Sequence, residues 1–99
     1  MPRPNRQRDV TFRVIDDHLE MHVTFKHQPD RNYVHRCTRD VFRDVAYAIE
    51  DHAAGGTTHE QIVHVIDAPC TQVNVALAFM KERGCVETRH RRTFPASDI

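Results

Sequence analysis

The spacing of apolar residues changes along this chain, and that change limits the folds open to it. Up to Lys26, apolar and polar residues alternate, as at Leu19, Met21 and Val23, which is the period of a strand with one buried face. From Thr38 to Met80 the apolar residues recur every three or four positions, which is the period of an amphipathic helix, before Val86 and Phe94 suit short strands again. The sequence therefore predicts an α+β fold in which strands come first and helices follow.

Two short apolar runs near the N-terminus predict a β-hairpin with one apolar face. Val10, Phe12 and Val14 form the first run, and Asp16-Asp17 separates it from the second with residues that suit a tight turn. The hairpin and a following loop are expected over residues 9–36, with a short extended piece near residues 33–35.

Residues 1–8 differ from the rest of the chain because they contain three arginines and no acid. They are expected to form a flexible basic arm, while residues 9–99 form a single domain. A second basic segment covers residues 81–92, and the stretch between the two is acidic. The formal net charge of zero therefore hides local patches that would attract anionic partners.

Each of three predicted helices carries its own start and stop signals. Thr38 is expected to cap the first helix, Arg39–Ala53, which Gly55-Gly56 ends. Thr58 is expected to open the second helix as the N-cap of a capping box. The third helix starts at Pro69 or Thr71, continues to Arg83 and stops at Gly84. The inner faces are expected to carry Val41, Val45, Ala48, Ile49 and His52, then Ile62, Val65 and Ile66, then Val73, Ala76, Leu77 and Met80.

The segment "GTTHEQIVHVIDAPCTQVNVALAFMKERGCVETRHRRTFP" resembles the winged helix-turn-helix of bacterial transcription regulators such as the MarR and ArsR families. "KERGCVE" is similar to the families' passage into the wing, and "TRHRRTF" is similar to the tip of the wing hairpin. The resemblance covers about residues 57–96 and reaches Thr38 when the first helix is included. It implies a three-helix winged helix over residues 37–99, with a C-terminal β-wing and the N-terminal β-hairpin as an extension.

The resemblance also implies DNA binding and regulation of transcription. In these families the outward residues of the third helix contact bases, and the wing contacts the backbone or the minor groove. Gln72 and Asn74 have amides that can pair with adenine, and Thr71 can meet a phosphate. The wing is expected to attach to DNA through its basic tip, Arg89, His90, Arg91 and Arg92.

Two apolar residues on the same outward face of the third helix favour a different class of function. Val75 and Phe79 cannot hydrogen-bond a base, and they lie one turn apart. They are expected to contact a protein partner, a second copy of the chain, or the chain's own hairpin. If the protein forms a homodimer, the preferred interface is its N-terminal hairpin, because the edges of that hairpin are open.

Catalytic, metal and cofactor chemistry find little support in the residue pattern. His59 and His64 in "HEQIVH" are five positions apart, so they do not share a helix face as zinc-protease ligands do. Cys37 with His35 lacks a recognisable third group, so no catalytic residue, metal site or cofactor is predicted. Cys70 and Cys85 are expected to be small packing residues. With no long apolar run or signal peptide, a cytoplasmic protein that does not contact membranes is expected.

Overall fold

A computed structural model describes residues 8–96 of the chain and shows a mixed α+β fold with three helices and two antiparallel sheets. The predicted arm lies outside the described residues, apart from Arg8, where the first strand begins.

The N-terminal half forms a three-stranded antiparallel sheet, here called the N-terminal sheet. Its strands are β1 (Arg8–Ile15), β2 (His18–Phe25) and β3 (Tyr33–Thr38), in the order β1-β2-β3. Asp16 and Asp17 join β1 to β2 with φ angles of 50° and 66°, the left-handed pair that a two-residue hairpin turn needs. The hairpin prediction is confirmed, and the extended piece near residue 33 is a full third strand.

Three helices follow, and their bounds depend on local caps. They are α1 (Arg39–Asp51), α2 (His59–Ile66) and α3 (Cys70–Glu82). The Thr38 hydroxyl accepts a hydrogen bond from the Val41 amide at 3.2 Å, as the N-cap prediction required. Thr58 opens α2 with a capping box that Gln61 completes. Gly84 follows α3 with φ of 75°, which lets the chain turn at once into the next strand.

A short C-terminal hairpin, β4 (Val86–Arg89) and β5 (Arg92–Pro95), forms the second sheet. Two backbone hydrogen bonds between Thr57 and Thr93, of 3.0 and 2.7 Å, fix β5 to the segment that precedes α2. The ring of Phe94 lies against Gly56, where a Cβ atom would come within 2.6 Å of it. The C-terminal hairpin is thus anchored at its base.

The N-terminal sheet packs its apolar face on the helices of the same chain. Leu19, Met21 and Val23 of β2 are buried together with the inner residues of α1 and α3. The predicted inner face of α3 is confirmed, because Val73, Ala76, Leu77 and Met80 are all buried.

The sheet also covers the face of α3 that the sequence placed outward, which corrects the orientation predicted for Val75 and Phe79. Val75 is fully buried, and Phe79 is half-buried. The Phe79 ring packs edge-on against Phe12 of β1 and Phe42 of α1, with centroid distances of 5.3 and 5.8 Å. Of the three contacts expected for these residues, the structure contains the one with the chain's own hairpin.

Four residues differ from their predicted surroundings. His52, expected on the inner face of the first helix, is exposed and lies just beyond the end of α1. Val65 is 62% exposed, because α2 turns Ile62, with Val63 and Ile66 beside it, toward the core instead. Cys70 and Cys85 are exposed rather than packed, since one opens α3 and the other lies in the turn before β4.

Among residues 8–96, no helix has the length and apolar character needed to cross a membrane.

Candidate nucleic-acid interface

The exposed surface of α3 is a narrow stripe. Thr71, Asn74 and Lys81 are exposed along it, with the small side chain of Ala78 between them, and Cys70 and Glu82 are exposed at its two ends. The stripe is narrow because the N-terminal sheet takes one flank of the helix and the core takes the other. Only a few side chains of this helix therefore face solvent in a position to meet a ligand.

Gln72, expected to contact bases, has a structural partner instead. Its side-chain oxygen accepts a hydrogen bond from the backbone N–H of Thr38 at 3.0 Å. That N–H belongs to the cap of α1, so Gln72 fixes the start of α3 against the start of α1. The side chain is half-buried, which removes it from the surface that a base could reach.

The stripe forms the floor of a cleft of about 550 Å³, here called the basic groove. The inner face of the N-terminal sheet forms one wall, and the C-terminal hairpin together with the start of α2 forms the other. The polar and aromatic residues that line it are Arg8, Tyr33, His35, His59, Asn74, Lys81, Thr88, Arg91 and Thr93.

The charge of the basic groove has one sign. Arg8, Lys81 and Arg91 contribute permanent positive charges, and among residues 8–96 no Asp or Glu lines the groove. A cleft with cations on several walls and low-dielectric material behind them concentrates positive potential. The groove is therefore suited to an anionic ligand, although the net charge of the whole chain is zero.

Aromatic side chains in the same groove give it a second property. The rings of Tyr33 and His35 lie 4.5 Å apart, centre to centre, on β3. Both line the groove and are half-buried, so each has a partly accessible ring. Cations that follow a phosphate backbone, interleaved with rings on which unpaired bases stack, are the usual combination in clefts that bind single-stranded nucleic acid.

The four residues predicted at the tip of the hairpin differ in their surroundings. Arg89 stacks on the Phe94 ring, 4.1 Å from its centre, and Arg92 donates a 3.4 Å hydrogen bond to the carbonyl of Gly56. His90 and Arg91 occupy the turn itself with φ angles of 51° and 67°, and both are exposed. Arg91 is the member of this set that also lines the basic groove.

The sequence placed Arg8 and Lys81 in basic segments expected to attract anionic partners, but it did not name either among the predicted contact residues. Lys81 follows Asn74 by two helical turns, so helical geometry alone places both on one face of α3. The sequence alone therefore indicated that Lys81 lies on the same side of the helix as Asn74. Arg8 reaches the groove only because the N-terminal sheet folds over α3, a long-range contact that no local pattern reveals.

Cys37, the cysteine weighed as a nucleophile, is buried in the core, and desolvation there raises its thiol pKa to about 11. A thiol with such a pKa stays protonated near neutral pH and is a poor nucleophile.

The side chains of His59 and Cys70 approach within 3.8 Å of each other at the starts of α2 and α3. Within the described part of the chain, no cluster of three or more His, Cys, Asp or Glu side chains could hold a metal ion.

Comparison of the chain with protein-family models, with curated proteins and with solved structures finds no match in any of the three. The proposal for its function therefore rests on the side chains of the chain itself.

Proposed function

We propose that this chain is a DNA-binding protein that attaches to the phosphate backbone through the basic groove and the turn of the C-terminal hairpin. In this proposal the three helices and the C-terminal hairpin act as a winged helix, with the hairpin as the wing. The observation that carries the proposal is the set of cations Arg8, Lys81 and Arg91 around one cleft, with no carboxylate in its lining within the part of the chain that the structure describes. Contacts of this kind supply most of the sequence-independent affinity of proteins for DNA.

The proposed readout of sequence is limited. Asn74 is the exposed amide on α3, and its donor and acceptor can pair with one adenine edge. Thr71 is exposed at the start of the helix and can contact a phosphate. Because Gln72 and Val75 are engaged within the fold, we expect a weak preference among sequences and a strong dependence on salt.

Protein interaction through Val75 and Phe79, the other function considered, lacks a surface in this fold. Val75 is completely buried, and Phe79 contacts two rings of its own chain. A partner could reach Val75 only after the N-terminal sheet had moved away, and the accessible part of Phe79 lies in a small cleft beside Phe42 and Val14. No observation favours that function, and a role in transcription regulation is proposed only through the DNA contacts.

The test is a titration of the full chain against two duplexes of unrelated sequence at low and at moderate salt. We expect binding to both at low salt, with affinity falling steeply as salt rises. Arg91→Ala and Lys81→Ala should weaken binding to both duplexes and should each reduce the slope of log K against log salt by about 1. Asn74→Ala should matter only on a preferred duplex.

Arg43→Ala is the matched control, since Arg43 is an exposed arginine of α1 that pairs with Asp40 and does not line the basic groove. It should leave binding unchanged. Absence of binding at low salt would contradict the proposal, as would equal losses for Arg43→Ala and Arg91→Ala.

A further inference from the structure

Strand β1 is the outermost strand of the N-terminal sheet, and almost all of it is exposed. The helices pack beneath β2 and β3, and Phe12 is the residue of β1 that is half-buried against them. Val10, Val14 and Ile15 are 37%, 75% and 39% exposed, so the strand presents apolar side chains to solvent on both of its faces. An exposed strand of eight residues with no proline is a template for pairing with another strand.

The backbone groups along the free edge of β1 can be assigned from the pairing with β2. Ile15 and His18 close the two-residue turn and form a hydrogen-bonded pair, so odd-numbered residues of β1 bond to β2. The other end of the ladder agrees, because the N–H of Phe25, which faces Arg8, donates to Asn32 instead. The N–H and C=O groups of the even-numbered residues, Arg8 to Val14, therefore point outward from the sheet.

A row of alternating charge crosses the outer face of the N-terminal sheet and ends at this edge. Arg36 of β3 faces Glu20 of β2, which in turn faces Arg13 of β1. Arg36 holds Glu20 at 2.7 Å, and Glu20 is only 8% exposed. Arg13 is the last member of the row, and its open side faces solvent.

We propose that two copies of this chain pair through β1, antiparallel, about a twofold axis at Thr11. In this register Val10 exchanges backbone hydrogen bonds with the partner's Phe12, and Arg13 lies opposite the partner's Asp9. The pair of Arg13 and Asp9 occurs twice by symmetry, and it continues the alternating row from Arg36 and Glu20 into the second copy. These charges meet at non-hydrogen-bonded positions, where side chains of opposite strands lie closest.

The charge pattern selects this register over its neighbours. A shift of the twofold axis to Phe12 would keep the backbone bonds, but it would place Arg13 opposite the partner's Thr11 and Asp9 opposite the partner's Ile15. A shift to Val10 would place Asp9 opposite the partner's Thr11. Only the axis at Thr11 satisfies both charges while the two N-terminal sheets become one continuous sheet.

Sedimentation of the full chain tests the proposal, with charge variants chosen from exposed side chains. Wild type should dimerise, and Asp9→Arg alone and Arg13→Asp alone should each weaken the dimer roughly tenfold or more, since each puts like charges opposite one another. An equimolar mixture of the two variants should recover the association as a heterodimer, because each then meets its opposite charge. Circular dichroism of each variant checks that it remains folded.

Cross-linking tests the position of the axis independently of charge. In a background with Cys70→Ser and Cys85→Ser, Thr11→Cys should give a disulfide-linked dimer on mild oxidation, because the two sulfurs would meet on the axis. Thr24→Cys, an exposed threonine on the same face of β2, should not. A monomeric wild type overturns the proposal. So does a dimer that ignores the charge variants, or one that cross-links equally at both positions.

Discussion

At the scale of single residues, Glu20 shows how the N-terminal sheet holds a buried carboxylate on its outer face. The Arg36 guanidinium at 2.7 Å, and then the His22 ring at 2.9 Å, hold the pKa of Glu20 below its ordinary value of 4.5. A carboxyl whose pKa is lower in the folded than in the unfolded chain stabilises the fold at pH values above its unfolded pKa. That contribution is lost as the pH falls through the folded pKa.

Replacing Glu20 tests this ion pair through its pH dependence. Glu20→Gln should lower the urea midpoint at neutral pH relative to wild type, and the gap should close as the pH is taken below 4.5 and through the lowered pKa. Glu50→Gln, at an exposed position of α1, is the control and should change little. A gap of constant size across the acidic range would contradict the role given to Arg36 and His22.

At the scale of elements, caps and turns were predictable because their signals are local. Thr38, Thr58 and Gly84 each act through neighbours within a few residues, and the structure places all three as the sequence predicted. The burial of Val75 and Phe79 was not predictable from α3 alone. Helical periodicity says which residues share a face, but only the packing of a distant sheet decides whether that face is covered.

The C-terminal hairpin depends on a close contact at Gly56, and a neighbouring glycine provides the control. Gly56 has φ of 76°, and a Cβ atom there would come within 2.6 Å of the Phe94 ring. Gly56→Ala should therefore cost about 2–4 kcal/mol of unfolding free energy from backbone strain and overpacking together. Gly55→Ala has open space and should be neutral or slightly stabilising. Chemical denaturation of both variants measures the difference, and equal stabilities would contradict the packing of β5 on this turn.

At the scale of the whole molecule, the N-terminal sheet determines which parts of α3 can act. By burying Val75 and half-burying Phe79 it leaves little of that face of the helix to a ligand, and it supplies Arg8 and two aromatic rings to the wall of the basic groove. The sequence predicted Asn74 and Arg91 as contact residues, and both line the groove. It could not predict the groove itself, because one wall comes from strands far away in sequence.

The proposed mode of binding thus depends on one tertiary contact, the packing of the N-terminal sheet on α3. The Phe12 and Phe79 rings, 5.3 Å apart between centroids, report that contact directly. In nuclear magnetic resonance spectra of the full chain, we expect nuclear Overhauser cross-peaks between the protons of these two rings. We also expect Val75, which is fully buried, to be protected from a soluble paramagnetic quencher. Absence of those cross-peaks together with strong quenching of Val75 would show an open α3 face, and would contradict the central claim that the helix acts only through its narrow stripe.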